Sequence, residues 1–142
     1  MFTGIVAGTA PIVEIGGDDS VRTFSVDLNG FDNDLERGAS VSLDGVCMTV
    51  VNLDNGIVSF DAISETLNRT TLSKRRVGDL LNVERSLRLG DELGGHILSG
   101  HIIGTAEVLK REEAGDGVDF LISIPEGCDQ FVLEKGYIAV DG

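Results

Sequence analysis

Cysteine and histidine are scarce in this sequence of 142 residues, which has two of each. The cysteines, Cys47 and Cys128, fit no spacing typical of a metal site, and the two histidines do not complete a convincing zinc site with them. Nothing in the cysteine usage requires an oxidising compartment. We therefore expect no bound metal and a cytoplasmic location.

Long apolar runs are also lacking. No stretch approaches the roughly 18–20 consecutive apolar residues that a helix needs to cross a bilayer. The N-terminal residues 1–6 have no basic region followed by a long apolar one, so they do not predict a secretion signal. Apolar residues still make up 42% of the chain. The sequence therefore predicts a folded, soluble protein with its own core and no membrane partner.

Basic residues are few, and only three of them are lysines. Eleven Lys and Arg accompany 24 Asp and Glu, which gives a net charge of −13. Such a surface repels nucleic acid and anionic lipid, which weighs against a protein that binds a phosphate backbone. A salt-rich habitat would explain the acidic bias, and so would an ordinary solubilising surface.

Two parts of the sequence resemble each other. Residues 4–13 align with residues 100–109 at a constant offset of 96. Gly38 and Asp44-Gly45 recur as Gly136 and Asp141-Gly142, one residue closer together. Two matches in the same order at nearly one offset indicate a duplication. The first copy spans about residues 1–88, and the second starts near Gly94-Gly95 and reaches the last residue unfinished.

Within each copy the pattern is that of β-structure. Short runs of Val, Ile and Phe are separated by dipeptides that tolerate positive φ; these are Asn29-Gly30, Asp44-Gly45, Asn55-Gly56, Asp116-Gly117 and Asp141-Gly142. The predicted strands of the first copy are Gly4–Glu14, Thr23–Leu28, Ser40–Leu43, Cys47–Leu53, Ile57–Ala62 and Leu80–Ser86. A short helix is predicted over Ser64–Leu72, with Ser64 as its N-cap. Six short strands in fewer than ninety residues favour a closed barrel, which leaves no exposed edges. The predicted fold is all-β, with tandem small β-barrels.

Polar side chains are predicted to share one face of a hairpin. The period of two places Cys47 and Thr49 on one face of their strand, and Ser40 and Ser42 on one face of the preceding strand. Because the Asp44-Gly45 turn folds these strands together, the hydroxyls and the thiol could line a binding surface. The competing interpretation is the solvated outside of a barrel, which the pattern alone favours.

A second candidate is the stretch from Asp61 to Thr66, which passes from a strand into the start of a helix. Free N–H groups at a helix start suit the carbonyl or anionic oxygens of a ligand. Simple capping by Ser64 is the alternative, and it is the better explanation without further evidence.

The repeat gives the two copies different chemistry at one position. Under the offset of 96, His101 takes the place of Ile5. Histidine exchanges protons near neutral pH and isoleucine does not, so His101 is a candidate acid–base group. A lone histidine in a strand is more often structural, and His96 is expected to be a linker residue.

The sequence motifs of this chain resemble those of the riboflavin synthase family. The resemblance covers the chain in order, and its most specific part is residues 94–106, with the sequence GGHILSGHIIGTA. Further similar motifs are Met1–Val6, Gly38–Val41, Gly45–Val50, Ser64–Leu67 and Val83–Arg85.

The resemblance implies two six-stranded Greek-key lumazine-binding barrels per chain and a homotrimer, with each active site between the first barrel of one subunit and the second of another. The implied reaction is a transferase step of riboflavin biosynthesis. It moves a four-carbon unit between two 6,7-dimethyl-8-ribityllumazine molecules and gives riboflavin and 5-amino-6-ribitylaminouracil. No cofactor or metal is implied, and lumazine synthase is a further partner to consider.

The family's functional residues carry over onto matching positions. His101 is implied to transfer protons, while Cys47 and Thr49 orient or transiently engage the lumazine, with no covalent role assigned to Cys47. Phe2 is implied to pack near the two reactants. The implied substrate-binding residues are Phe2, Gly4, Ile5, Val6, Ser40, Cys47, Met48, Thr49, Asp61, Ala62, Ile63, Ser64, Glu65, Thr66, Gly100, His101, Ile102 and Lys135.

The chain departs from the family at its C-terminus. The expected division is a first barrel over residues 1–90 and the N-terminal half of a second over residues 95–142. The sequence is therefore expected to be a fragment, or a product that lacks normal turnover. The runner-up function is a non-catalytic lumazine- or flavin-binding protein of the antenna type. The survival of Cys47, Thr49, Thr66 and His101 favours the enzyme.

Overall fold

The computed structural model describes residues 1–18 and 20–142. They form two compact units, one of residues 1–102 with 139–142 and one of residues 103–138. The first unit contains a closed six-stranded antiparallel barrel, and the second contains a two-stranded sheet. An all-β fold with a six-stranded barrel is therefore confirmed.

The barrel strands follow the predicted segments closely. They are β1 (Gly8–Gly17), β2 (Val21–Asp27), β3 (Ser40–Leu43), β4 (Val46–Asp54), β5 (Ile57–Ile63) and β6 (Leu80–Arg85). Their order around the barrel is β1-β2-β5-β4-β3-β6, and β6 closes the ring by pairing with β1. The strands alternate between the interior and the outside, as strand geometry requires, except where a bulge interrupts β1 between Ile12 and Glu14 and β4 between Val50 and Asn52.

Two predicted hairpin turns are confirmed. Asp44-Gly45 joins β3 to β4 with φ values of 49° and 82°, and Asn55-Gly56 joins β4 to β5 with φ values of 47° and 82°. Positive φ at both central residues gives a turn whose twist matches that of the strands. These dipeptides fix the register of the hairpin that carries Cys47.

The N-terminal boundary and the helix were predicted wrongly. Strand β1 begins at Gly8, not at Gly4, because Gly4 has a φ of 77° that interrupts an extended strand. Helix α1 covers only Ser64–Arg69, and a separate 3₁₀ turn covers Thr71–Lys74. The helix stops because Thr70 has extended dihedrals and its hydroxyl donates back to the Thr66 carbonyl over 2.7 Å.

The N-cap prediction was also wrong. Ile63 occupies that position and makes no capping bond through its side chain. Ser64 is the first residue of α1, and its backbone N–H donates to the Ser20 carbonyl over 3.0 Å.

The core fills the inside of the barrel with one side chain from every second strand position. Each fully buried aliphatic or aromatic side chain contributes roughly 1.5–3 kcal/mol. The buried core residues on the strands are Ala10, Ile12, Phe24, Val26, Val41, Leu43, Val46, Met48, Val50, Val58, Phe60, Ala62, Leu81 and Val83.

A buried carboxylate ties the first Asp-Gly turn to the neighbouring strand β6 and to Arg75. Asp44 accepts hydrogen bonds from Nε and Nη2 of Arg75, at 2.9 and 2.6 Å, and from the backbone N–H of Asn82 at 2.8 Å. Burial raises the pKa of Asp44 above its usual value, against the opposing effect of these donors. The network fixes the turn next to β6, because Asn82 lies on that strand.

Equivalent residues of the two sequence copies meet in the first unit. Phe2 and Leu98, which are 96 residues apart, pair with reciprocal N–H···O bonds of 2.9 Å. Asp141-Gly142 lies against Asp44-Gly45, so closely that a Cβ on Gly142 would be 3.1 Å from the Gly45 nitrogen. Such pairing of equivalent positions is what a local two-fold axis produces, and it supports the duplication seen in the sequence.

Gly100 lies where only a glycine fits. Its carbonyl accepts the backbone N–H of Cys47 over 2.9 Å. Its φ is 78°, and a Cβ there would be 2.8 Å from both Cys47 Cβ and Phe2 Cε2. The segment that carries His101 is therefore held against the β3–β4 hairpin through one close backbone contact.

The second unit is smaller and open. Its strands are β7 (Val108–Ala114) and β8 (Gly117–Ile122), and every described side chain on them is exposed except the half-buried Ile122. The hairpin turns at Gly115-Asp116, one residue before the predicted Asp116-Gly117, because Gly115 takes the positive φ of 60°. An isolated two-stranded sheet is marginally stable in water.

We expect Gly100→Ala to lower the free energy of unfolding by at least about 2 kcal/mol, since Ala is strained at positive φ and its methyl displaces Cys47 and Phe2. Gly16→Ala is the matched control, because Gly16 has no positive φ and nothing within 4 Å of a Cβ. Urea unfolding of both variants measures the difference. Equal stabilities would contradict the close contact.

We expect hydrogen exchange in the 142-residue chain to divide at about residue 103. Amides of β1–β6 should be strongly protected by the closed barrel, and amides of β7 and β8 should exchange faster because their sheet has no covering layer. Residue-resolved exchange measured by NMR tests this. Equal protection of residues 108–122 and the barrel in a monomer would refute it.

Candidate functional site

The outer face of the β3–β4 hairpin gathers the polar residues that the alternation predicted. Ser40 pairs with Thr49, and Ser42 pairs with Cys47, in the observed register. The intervening residues Val41 and Met48 are buried in the core. The prediction that these hydroxyls and the thiol share one face is confirmed.

The polar face continues onto β6 through Glu84, which pairs with Ser42. The Glu84 carboxylate accepts three hydrogen bonds from the N-terminal segment. Oε1 accepts from the Thr3 backbone N–H at 2.5 Å and from Thr3 Oγ1 at 2.7 Å, and Oε2 accepts from the Gly4 N–H at 3.1 Å. The chain before β1 is thereby fastened across the outside of the barrel.

The chain's own segments cover half of this polar face. Phe2, Ser42 and Glu84 are only 2%, 3% and 7% exposed, and Gly100 lies on Cys47. Thr49 is exposed and Ser40 half-buried. The interpretation of a solvated barrel exterior therefore fits Thr49 but not Ser42, which lies under cover.

The open half extends from Thr49 toward β5. Val50 pairs with Phe60 at one end of the β4–β5 ladder, and both side chains point into the barrel. Thr49 and Asp61 are the next residues along each strand, so their side chains lie on the outside of the barrel. Asp61 is exposed and accepts a 2.7 Å hydrogen bond from the hydroxyl of Thr23, its partner on β2. Hydroxyl and carboxylate groups from three strands thus lie on one accessible strip.

The strip leads into the start of α1. Ile63, Ser64 and Glu65 are exposed and Thr66 is half-buried. Glu65 pairs with Arg69 over 3.2 Å. The N–H of Ser64 is not free for a ligand, since it bonds to Ser20. What this region offers is an exposed apolar side chain next to polar ones, which suits one edge of a heterocycle.

Two predicted contact residues have inward side chains. Met48 is 3% exposed and Ala62 is fully buried, and both belong to the core. Any contact from these positions would be through their backbone. Their neighbours Thr49, Asp61 and Ile63 point the other way, as the period of two requires.

The N-terminal and Gly100 segments lie beside each other. Ile5 and Val6 are exposed, His101 is exposed, and Ile102 packs against the barrel core. The backbone N–H of His96, which is expected to be a linker residue, donates to the Thr3 carbonyl over 2.9 Å. Lys135 is exposed, has a φ of 58° and belongs to the second unit.

Sequence reasoning assigned no role to Thr3 or Glu84. Val83–Arg85 was noted only as a motif, and nothing in its pattern indicates what a carboxylate on β6 would bind. The adjacent Arg85 has a different function, since its Nη1 donates to the carbonyls of Phe31 and Asn33 at 2.6 and 3.1 Å. Burial, helped by the charge of Arg88, lowers the pKa of Arg85.

Among residues 1–18 and 20–142, no group of three or more His, Cys, Asp or Glu is placed to hold a metal ion. Cys47 and Cys128 are free thiols. No helix in the same residues is long and apolar enough to cross a membrane.

Comparison with known proteins identifies the family. The model of the lumazine binding domain matches residues 3–86. The riboflavin synthase of Escherichia coli (strain K12) is 43% identical over 144 residues, covering all of this chain and 68% of that protein. LumP complexed with 6,7-dimethyl-8-(1'-D-ribityl) lumazine is similar with a TM-score of 0.79 and 31% identity, over 89% of this chain and 71% of that one. LumP complexed with riboflavin gives a TM-score of 0.82 and 30% identity, over 94% and 72%. The chain therefore belongs to the riboflavin synthase family.

Proposed function

We propose that this chain binds 6,7-dimethyl-8-ribityllumazine on the open half of the polar face and acts as a riboflavin synthase. The observation that carries the proposal is the accessible strip of Thr23, Thr49 and Asp61, which has the half-buried Ser40 paired to Thr49 at one side and leads to the exposed Ile63. The carboxylate can accept hydrogen bonds from the hydroxyls of the ribityl chain, the protein hydroxyls can also donate to the ring carbonyls, and an aliphatic edge suits the ring.

The reaction is the dismutation of two identical lumazines, in which one gives up a four-carbon unit to the other. Riboflavin and 5-amino-6-ribitylaminouracil are the products. Holding both reactants in a fixed orientation supplies much of the rate, because it replaces an encounter between two dilute molecules. A duplicated binding fold provides one similar site for each reactant.

His101 is proposed to transfer protons, with Cys47 and Thr49 orienting the lumazine. Support comes from the repeat. The Ile5 N–H donates to Thr3 Oγ1 over 3.1 Å, and the His101 N–H donates to Ser99 Oγ over the same distance. An imidazole thus stands in a local geometry that the other copy gives to an aliphatic side chain.

Several finer features belong to the same proposal. They are the division into barrels at 1–90 and 95–142, a homotrimer with sites between subunits, a contact from Lys135, and a cytoplasmic location. Lumazine synthase is a proposed partner.

A binding protein without turnover is the second candidate. The observation that favours it is the similarity to LumP, whose solved structures contain a lumazine and riboflavin. Both candidates require the same binding face, so turnover and not binding separates them.

We expect the 142-residue chain to bind riboflavin saturably and Thr49→Val to raise the dissociation constant about tenfold, because a hydrogen bond lost in a binding site costs about 1–1.5 kcal/mol. Flavin fluorescence during titration measures this. Thr9→Val is the control, since Thr9 is exposed on β1. A folded parent chain that shows no saturable binding would overturn the proposed face.

We expect His101→Ile to lower turnover by about 10²–10⁴-fold, the range for an acid–base group, in a chain extended to the length of its curated relatives. Riboflavin formation from the lumazine is the measurement. Binding should change less than rate, since Ile is what the equivalent position carries. An unchanged rate would reduce His101 to a structural residue.

A further inference from the structure

Glu84 has been given no part in ligand binding so far, although its carboxylate accepts three hydrogen bonds from the N-terminal segment. We propose that Glu84 is a positioning residue, which acts through Thr3 to hold Gly4-Ile5-Val6 in the geometry that receives the lumazine. The inference rests on the proposed function, extended by the lumazine contact that the family resemblance implies for Gly4-Ile5-Val6, since Glu84 itself lies on the covered half of the polar face.

The Glu84 carboxylate lies where it can hold the backbone of residues 3–5 in place. Its strand is set by pairing with Ser42 on one side and by the β1–β6 closure on the other. Both oxygens are occupied, with Thr3 N–H and Oγ1 on Oε1 and Gly4 N–H on Oε2. An ionised carboxylate only accepts hydrogen bonds, so it suits three donors, whereas an amide would direct its own N–H groups at one of them.

Thr3 passes this constraint on to Ile5. Its hydroxyl donates to Glu84 and accepts the Ile5 N–H over 3.1 Å. Between them Gly4 bends the chain with a φ of 77°. The direction of the Ile5 backbone is therefore set by a relay that starts at a buried group on β6.

The second sequence copy contains the same hydrogen bond between a hydroxyl and the amide two residues later. Ser99 Oγ accepts the His101 N–H as Thr3 Oγ1 accepts that of Ile5. A serine is therefore sufficient for the local bond. This makes Thr3→Ser a conservative control and Thr3→Val, which keeps the shape but removes the hydroxyl, the informative change.

A purely structural role would make a different prediction. If Glu84 only stabilised the barrel, its loss would lower the unfolding midpoint and leave the riboflavin affinity of the folded fraction unchanged. Positioning predicts weaker binding by a chain that is still folded, and nearly the same weakening from Thr3→Val.

The test is a riboflavin titration of the 142-residue chain, followed by flavin fluorescence. Glu84→Gln and Thr3→Val should each raise the dissociation constant about tenfold. The controls Thr3→Ser and Glu14→Gln should stay within about twofold, since Glu14 is an exposed carboxylate on β1. Because the two groups act in one relay, the double variant should lose little more than either single one.

Amide hydrogen exchange at Thr3, Gly4 and Ile5 decides the structural step. Slow exchange in the parent chain that becomes fast in Glu84→Gln supports the relay. Unchanged affinity in folded Glu84→Gln and Thr3→Val, or additive losses in the double variant, would overturn it. Should Glu84→Gln not fold, Thr3→Val against Thr3→Ser carries the test.

The two proposals fail in different ways. A folded parent that does not bind riboflavin overturns the proposed function, while slow exchange at Thr3 and Gly4 would leave the fixed geometry of Ile5 standing. Fast exchange at these amides in a parent that does bind overturns the role of Glu84 alone.

Discussion

The pairing of β1 with β6 is the constraint on which the rest of the first unit depends. Gly8–Pro11 pairs with Leu80–Val83 and closes the ring. Closure leaves no strand edge open and encloses the core, so the alternation of each strand becomes a division between inside and outside. It also brings the residue after Val83, Glu84, next to the N-terminal segment that enters β1.

Because the ring is closed in this way, part of the outer face of the barrel is buried. A barrel exterior is normally wet, yet Ser42 and Glu84 are buried, with Thr3 and Gly4 on Glu84 and Gly100 on Cys47, the partner of Ser42. Buried polar groups are retained only where they are hydrogen-bonded, and Glu84 accepts three hydrogen bonds. The covered half thus serves to fasten chain segments, and the open half at Thr49 and Asp61 remains accessible to a ligand.

The duplication adds a second level of organisation. Equivalent residues Phe2 and Leu98 hydrogen-bond to each other, and the equivalent Asp-Gly turns lie in contact. Both copies use a hydroxyl to fix the amide two residues later. Against this shared backbone the copies differ in side chains, with Ile5 in one and His101 in the other. A repeated scaffold with different side chains is a simple way to give two identical reactants unequal roles.

The sequence by itself determined the strands, the Asp-Gly and Asn-Gly turns, and the shared face of Ser40, Ser42, Cys47 and Thr49. Each of these follows from local chemistry, namely the period of two and the tolerance of positive φ. The family was also readable, because its motifs are continuous in the chain.

Only the tertiary structure decided what covers that face. The start of β1 at Gly8, the burial of Ser42, and the contact of Gly100 with Cys47 all result from segments that are distant in sequence. The clearest case is Glu84, which is 81 residues from Thr3. Its alternation places it on the outside of the barrel, and that is all a local pattern can indicate. Which donors it meets there depends on where the closed ring brings the N-terminal segment, and no pattern within β6 contains that information.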